Sequence, residues 1–137
     1  MPGARVAIVD DDRGVVKALA RLLAARSFHP QTYTSARDFL ESLSDAPPDC
    51  LLLDQQMPDM TGLELQHKLS SAGFNIPTIV ITAHDRPDLR QQHELAGAMA
   101  YLLKPLDQST LIAAITWAIA MGSASDQARV WGRQDDP

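Results

Sequence analysis

Four apolar residues, Cys50 to Leu53, run directly into Asp54, and a loop punctuated by Pro58 and Gly62 follows before a helical pattern opens. A strand with one wet face would alternate apolar and polar residues, so an unbroken run of this kind is a strand buried on both faces. Strands of that type belong to parallel sheets covered by helices on each side. In such sheets ligands bind at the carboxyl ends of the strands, which is where Asp54 stands. A lone strand-ending Asp is also an ordinary turn former, so the weight falls on the other strand ends.

Read from the start, Val6 to Val9 is a β-branched run ending in Asp10, Asp11 and Asp12, and helical spacing follows at Val15, Val16, Leu19, Leu22 and Leu23. The acids precede that helix, where its dipole favours them. Pro30 to Tyr33 is a weak second strand, and Ser35 to Asp38 has the form of a capping box, with Asp in the place of Glu, ahead of Phe39, Leu40 and Leu43. After Gly62, the residues Leu63, Leu65 and Leu69 carry a third helix that stops near Gly73. Pro77 to Thr82 is a fourth strand, and Pro87 to Ala96 a poorly amphipathic helix closed by Gly97. Ala100 to Leu103 is a fifth strand ending in Lys104-Pro105, and Leu106 to Met121 is the last helix, with Leu111, Ile112, Ile115 and Ile119 on one face.

Strand and helix therefore alternate five times, which predicts an α/β fold with a doubly wound, five-stranded parallel sheet joined by right-handed crossovers. The flavodoxin-like strand order 2-1-3-4-5 fits the element count. One domain over residues 1–121 is expected, with 122–137 a polar linker or loose tail. The chain has 137 residues, 45% of them hydrophobic, enough for a sizeable core. Its one cysteine, Cys50, lies in the central strand, so no disulfide framework exists within the chain and the thiol reads as a small buried residue. No apolar stretch approaches the roughly 20 residues that span a bilayer, and the first residues do not make a signal peptide. A cytoplasmic protein without membrane contact is expected. The net charge of -5, with no Lys/Arg cluster, argues against direct nucleic-acid binding.

The predicted order puts the first and third strands side by side, so Asp10, Asp11 and Asp54 converge while Thr82 and Lys104 approach from the fourth and fifth strands. Three carboxylates in one pocket repel each other unless a cation or protons neutralise them. An all-oxygen set with open positions suits Mg2+, which binds through one or two carboxylates plus a phosphate. Asp54 is then the nucleophile for a phosphorus centre, as in aspartyl-phosphate chemistry. Lys104 would meet a phosphoryl oxygen as a point charge, and Thr82 would offer a hydroxyl donor. Taken singly, the Thr is a turn former, the Lys a solvated charge and the acidic triplet a helix N-terminus; finding all four types at four strand ends, in this order, argues against that reading.

These motifs, Val9-Asp10-Asp11, Leu53-Asp54 to Met57-Pro58 and Gly62, Ile81-Thr82-Ala83 and Lys104-Pro105, resemble the receiver domain of two-component response regulators over about Arg5 to Met121. The segment Ile76 to His84 is most similar to receivers attached to helix-turn-helix transcription factors. The resemblance implies that Asp54 accepts phosphate from a sensor histidine kinase or phosphotransfer protein. It implies further that Asp11, Asp54 and the backbone carbonyl of Gln56 bind Mg2+, that Asp10 acts mainly through a metal-bound water, and that the bond before Pro105 is cis. Thr82 and Tyr101 form the expected coupled switch: the hydroxyl moves toward the phosphate, and the ring swings inward beside the fifth strand. The face made by the fourth and fifth helices with the fifth strand is then the place for homodimerisation or contact with an output that controls transcription. On this reading the chain assists its own phosphorylation and dephosphorylation but is not an enzyme. Leu106 stands where the family often has Phe, and Gln56 and His84 occupy variable positions that tune how water reaches the phosphate.

Other classes fit less well. A phosphatase of the haloacid dehalogenase type needs a second Asp two residues after the first, and here that residue is Gln56. A dinucleotide-binding domain lacks its Gly-rich turn, since Asp11-Asp12-Arg13-Gly14 has a single glycine. The remaining alternative is a degenerate receiver that acts as a phosphorylation-independent interaction module. The partner kinase, the signal, and whether an output domain follows are not written in these residues.

Overall fold

The structure is a computed structural model that describes residues 3–44 and 47–131. Five parallel strands, β1 (Arg5–Val9), β2 (His29–Tyr33), β3 (Cys50–Asp54), β4 (Thr78–Thr82) and β5 (Ala98–Leu103), form one sheet in the order β2-β1-β3-β4-β5. That is the order the strand count called for. Between and after them lie α1 (Arg13–Ala25), α2 (Ala36–Glu41), α3 (Gly62–Ser71), α4 (Pro87–Leu95) and α5 (Gln108–Trp131), with one 3-10 turn at Ser42–Ser44.

Every residue of β3 and β4 is buried, as is all of β1 after Arg5, because these three strands occupy the centre of the sheet with helices on both faces. Alternate residues feed two separate cores. Val6, Ile8, Cys50, Leu52, Ile79 and Ile81 pack with Val16, Leu19 and Leu23 of α1 and Leu111, Ile115 and Ala118 of α5. On the other face, Ala7, Val9, Leu51 and Leu53 pack with Phe39 of α2 and Leu65 and Leu69 of α3. Each fully buried aliphatic side chain contributes about 1.5–3 kcal/mol of apolar transfer energy, and this burial holds the helices to the sheet. Burial also pushes the Cys50 thiol up to about 12, so it stays protonated as a small apolar residue.

Local signals set the helix starts. Asp12 caps α1, its side chain accepting from the N–H groups of Gly14 and Val15. The box foreseen at Ser35 forms only in one direction, Ser35 Oγ accepting from Asp38 N–H at 3.1 Å. The complete capping box lies at Thr61 and Glu64, at the head of α3. Most boundaries differ from the sequence reading by a residue or two, as at Arg5, His29, Thr78 and Gln108, and two differences have a clear physical reason. β5 starts at Ala98 rather than Ala100, because a register irregularity opposite Thr78 and Ile79 admits an extra residue. α5 does not end at Met121 but runs on to Trp131, since one glycine at 122 weakens a helix without stopping it. Residues 132–137 of the expected tail lie outside the described residues.

Candidate functional site

The register of the sheet aligns the strand ends. Val9 pairs with Leu53, Asp54 with Ile81 and Thr82 with Leu103, so the residues that follow β1 and β5, Asp10 and Lys104, emerge beside Asp54. Carboxylate oxygens of Asp10, Asp11 and Asp54 lie within 4.8 Å of one another. Lys104 Nζ donates to Asp10 Oδ2 at 2.9 Å and stands 3.7 Å from Asp54 Oδ1. The peptide bond before Pro105 is cis, as the resemblance implied.

Asp54 is only 7% exposed. Burial, and next the charge of Asp10, push its carboxyl up to about 6, against the pull of the Lys104 ammonium and of the Gln56 backbone N–H that donates to it. Lys104 is held above its usual range: burial opposes the charge, but the bond to Asp10 and the attraction of Asp54 and Asp10 outweigh it. With all three carboxylates ionised and one ammonium present, the pocket keeps two negative charges in excess. That excess and the all-oxygen donor set fit a small hard dication such as Mg2+. Asp10, Asp11 and Asp54 would hold it by side chains. Gln56 is exposed, and its backbone N–H favours the charged form of Asp54.

Thr82 and Tyr101, the pair expected to form the switch, are joined through a third residue. Thr82 is 1% exposed, and its Oγ1 accepts from His84 N–H at 3.3 Å. The Tyr101 hydroxyl donates to the His84 carbonyl at 3.4 Å. Tyr101 was expected to swing inward on loading; its ring is already buried here, tilted against His93 and covered by the Arg90 guanidinium at 4.8 Å. The His84 side chain is exposed.

Sequence reasoning missed a second polar cluster directly behind Asp54. His93 on α4 is 0% exposed, while Leu95, two residues on, is 82% exposed, the reverse of what residue type suggests. The His93 Nε2 faces Gln55 Oε1 at 2.6 Å, and Nδ1 faces the side-chain amide of Gln66 on α3. Burial pulls the His93 pKa down to about 4, with the charge of His67 acting in the same direction. Gln55 Oε1 also accepts from Leu63 N–H at 3.0 Å. An unmatched polar group in such a place costs about 1–3 kcal/mol, so the three side chains satisfy one another. Gln66 did carry a signal, since it lies on the same helical face as Leu65 and Leu69.

Residues 6–116 match the family model described as the response regulator receiver domain. The chain is 35% identical to the response regulator protein TmoT of Ectopseudomonas mendocina, over 83% of this chain and 52% of that protein. It is 38% identical to the transcriptional regulatory protein FixJ of Rhizobium meliloti, over 80% of this chain and 54% of that one. The chain thus spans about half the length of these curated relatives. Among solved structures, the crystal structure of FixJ-N superposes with a TM-score of 0.81 at 37% identity, covering 88% of this chain and 96% of that chain.

Proposed function

The chain belongs to the response regulator receiver family, and from that premise we propose that Asp54 accepts a phosphoryl group from a sensor histidine kinase or phosphotransfer protein. The observation that carries the reading is the convergence of three carboxylates and one ammonium on a nearly buried strand end. In the transfer, an Asp54 carboxylate oxygen forms a bond to phosphorus as the bond from phosphorus to the donor breaks, and the electron pair leaves with the donor. Asp10, Asp11, Asp54 and the Gln56 carbonyl would hold a Mg2+ ion, which when bound would supply charge neutralisation for the incoming phosphoryl oxygens. Lys104 exchanges part of its contact with Asp10 for a phosphoryl oxygen, and the Thr82 hydroxyl turns from His84 N–H toward another.

Movement of Thr82 releases the loop that His84 shares with Tyr101, which changes how α4, β5 and α5 present themselves. Those elements leave large apolar side chains exposed: Leu95 on α4, Leu103 on β5, and Trp117 and Met121 on α5. Such residues suit a homodimer contact or docking of an output that controls transcription, as the names of the relatives favour. The protein works in the cytoplasm as an acceptor that assists its own loading and unloading, without steady-state turnover. No described helix is long and apolar enough to cross a membrane.

Intact mass after treatment with acetyl phosphate and Mg2+ is the test. One acid-labile phosphoryl group is expected, and Asp54→Asn should abolish most of it because the amide lacks the nucleophilic charge. Full labelling of that variant would remove Asp54 from the role. A parent chain that takes up no phosphoryl group would leave the phosphorylation-independent interaction module instead.

A further inference from the structure

The polar cluster behind Asp54 is not demanded by the acceptor chemistry, yet it touches the acceptor loop and the switch face at once. Gln55 stands between Asp54 and Gln56 in the chain, and it serves the first turn of α3 twice. Its carbonyl accepts from Gly62 N–H at 2.9 Å, and its side-chain Oε1 accepts from Leu63 N–H at 3.0 Å. The second bond fixes Oε1 as an acceptor, so the His93 nitrogen that meets it at 2.6 Å must carry the proton. A neutral imidazole with Nε2–H has its lone pair at Nδ1, and rotation of the Gln66 carboxamide brings the NH2 group to that side. The trio then has one fully matched arrangement, which ties the acceptor loop, α3 and α4 together through a single oxygen.

We propose that His93 is a positioning residue for the acceptor loop: its Nε2–H, donated to Gln55 Oε1, sets the stance of the loop that carries Asp54 and passes displacement of that loop to α4. The proposal rests on the reading of Asp54 as the acceptor. Loading Asp54 adds phosphoryl oxygens at the residue next to Gln55, and the loop that holds Gln55 shifts to accommodate them. Gln55 cannot shift without lengthening its bonds to Leu63 and His93. α4 has little else to hold it in place from within, since His93 is its one buried residue. It follows loop displacement through that bond, and Tyr101, whose ring packs 5.8 Å from the His93 ring, feels the same motion on β5.

The test compares the parent chain with His93→Gln, which keeps an N–H near the Nε2 position, and with the triple variant Gln55→Leu, Gln66→Leu, His93→Leu. The triple removes the three side chains together, so only the half-buried Leu63 N–H at the head of α3 loses its partner, and folding is expected to persist. Three readouts are taken: acetyl phosphate labelling with Mg2+, amide shifts of α4 on adding beryllofluoride, and the 15N shifts of the His93 ring. In the parent, Nε2 is expected to be the protonated nitrogen, with ring shifts that move on beryllofluoride addition. The triple is expected to label about tenfold more slowly, with α4 shifts reduced about fivefold, and His93→Gln to recover most of both. A triple that labels and shifts like the parent overturns the proposal alone, leaving Asp54 as acceptor. So do parent ring signals that stay fixed while the pocket amides move, a measurement that decides even if the triple does not fold. A parent chain that takes up no phosphoryl group overturns the acceptor reading, and the positioning role with it.

Discussion

Asp54→Asn should make the metal-free protein more stable, by an amount that depends on pH. In the folded chain the Asp54 carboxyl is raised from 3.8 to about 6, chiefly by burial and then by the charge of Asp10. The unfolded chain, with its carboxyl at the ordinary value, therefore releases the proton first as pH rises. The favourable contribution of the protonated side chain is fully present below about pH 4 and is lost as pH climbs through about 6. A rise of roughly two pH units, at about 1.36 kcal/mol for each, amounts to about 3 kcal/mol. Asn carries no charge to bury. At pH 8 in chelator the variant should exceed the parent by about 3 kcal/mol, or about 10 °C in Tm for a domain of this size. At pH 4 the two should converge, and, on the proposed Mg2+ site, saturating Mg2+ should narrow the gap at pH 8 because an ion held by the folded parent cluster stabilises only that state. Urea unfolding at pH 4, 6 and 8, with and without Mg2+, measures all of this. A gap independent of pH, or an Asn variant less stable than the parent at pH 8, refutes the account of a strained carboxylate.

Lys104→Ala should leave Mg2+ binding at least as tight as in the parent, because the ammonium that competes for Asp10 and Asp54 is gone, while beryllofluoride no longer shifts the amides of α4, β5 and α5; a parent-like response would reduce Lys104 to a surface charge. Gly62→Ala should cost about 1–3 kcal/mol in urea unfolding. The added Cβ would meet the Asp54 carbonyl at 2.7 Å and Gln55 Cα at 3.1 Å, both backbone atoms that cannot rotate away, so an unchanged midpoint would mean the loop yields more readily than its packing implies. Thr61→Ala removes the side-chain half of the α3 capping box, and a loss of about 1 kcal/mol is expected, with no loss counting against the cap.

The central strands and their ends were legible because burial on both faces writes itself as an unbroken apolar run, and the chemistry sits where each run stops. Asp10, Asp54, Thr82 and Lys104 needed only the strand order to be brought together. His93 was not legible, because polarity alone sends a histidine outward and a leucine inward, and α4 does the opposite. Its partner Gln55 lies 38 residues away, so only the folded chain could reveal that its ring nitrogens are matched. The Thr61–Glu64 box, by contrast, was present in the sequence and was eclipsed by the stronger turn signals of Pro58 and Gly62. The start of β5 escaped notice because a register irregularity depends on the neighbouring strand and leaves no mark of its own.

The alternation along β3 has an evolutionary reach. Cys50 and Leu52 face one core while Leu51 and Leu53 face the other. Substitutions on opposite faces share no side-chain partner, so their effects should sum to within about 0.3–0.5 kcal/mol, whereas neighbours within one layer must change in concert. A lineage can thus rework the α1 and α5 layer while the α2 and α3 layer stays as it was. The sheet backbone acts as a partition between two inventories of mutation, and the pocket at its carboxyl edge is the place where both must agree.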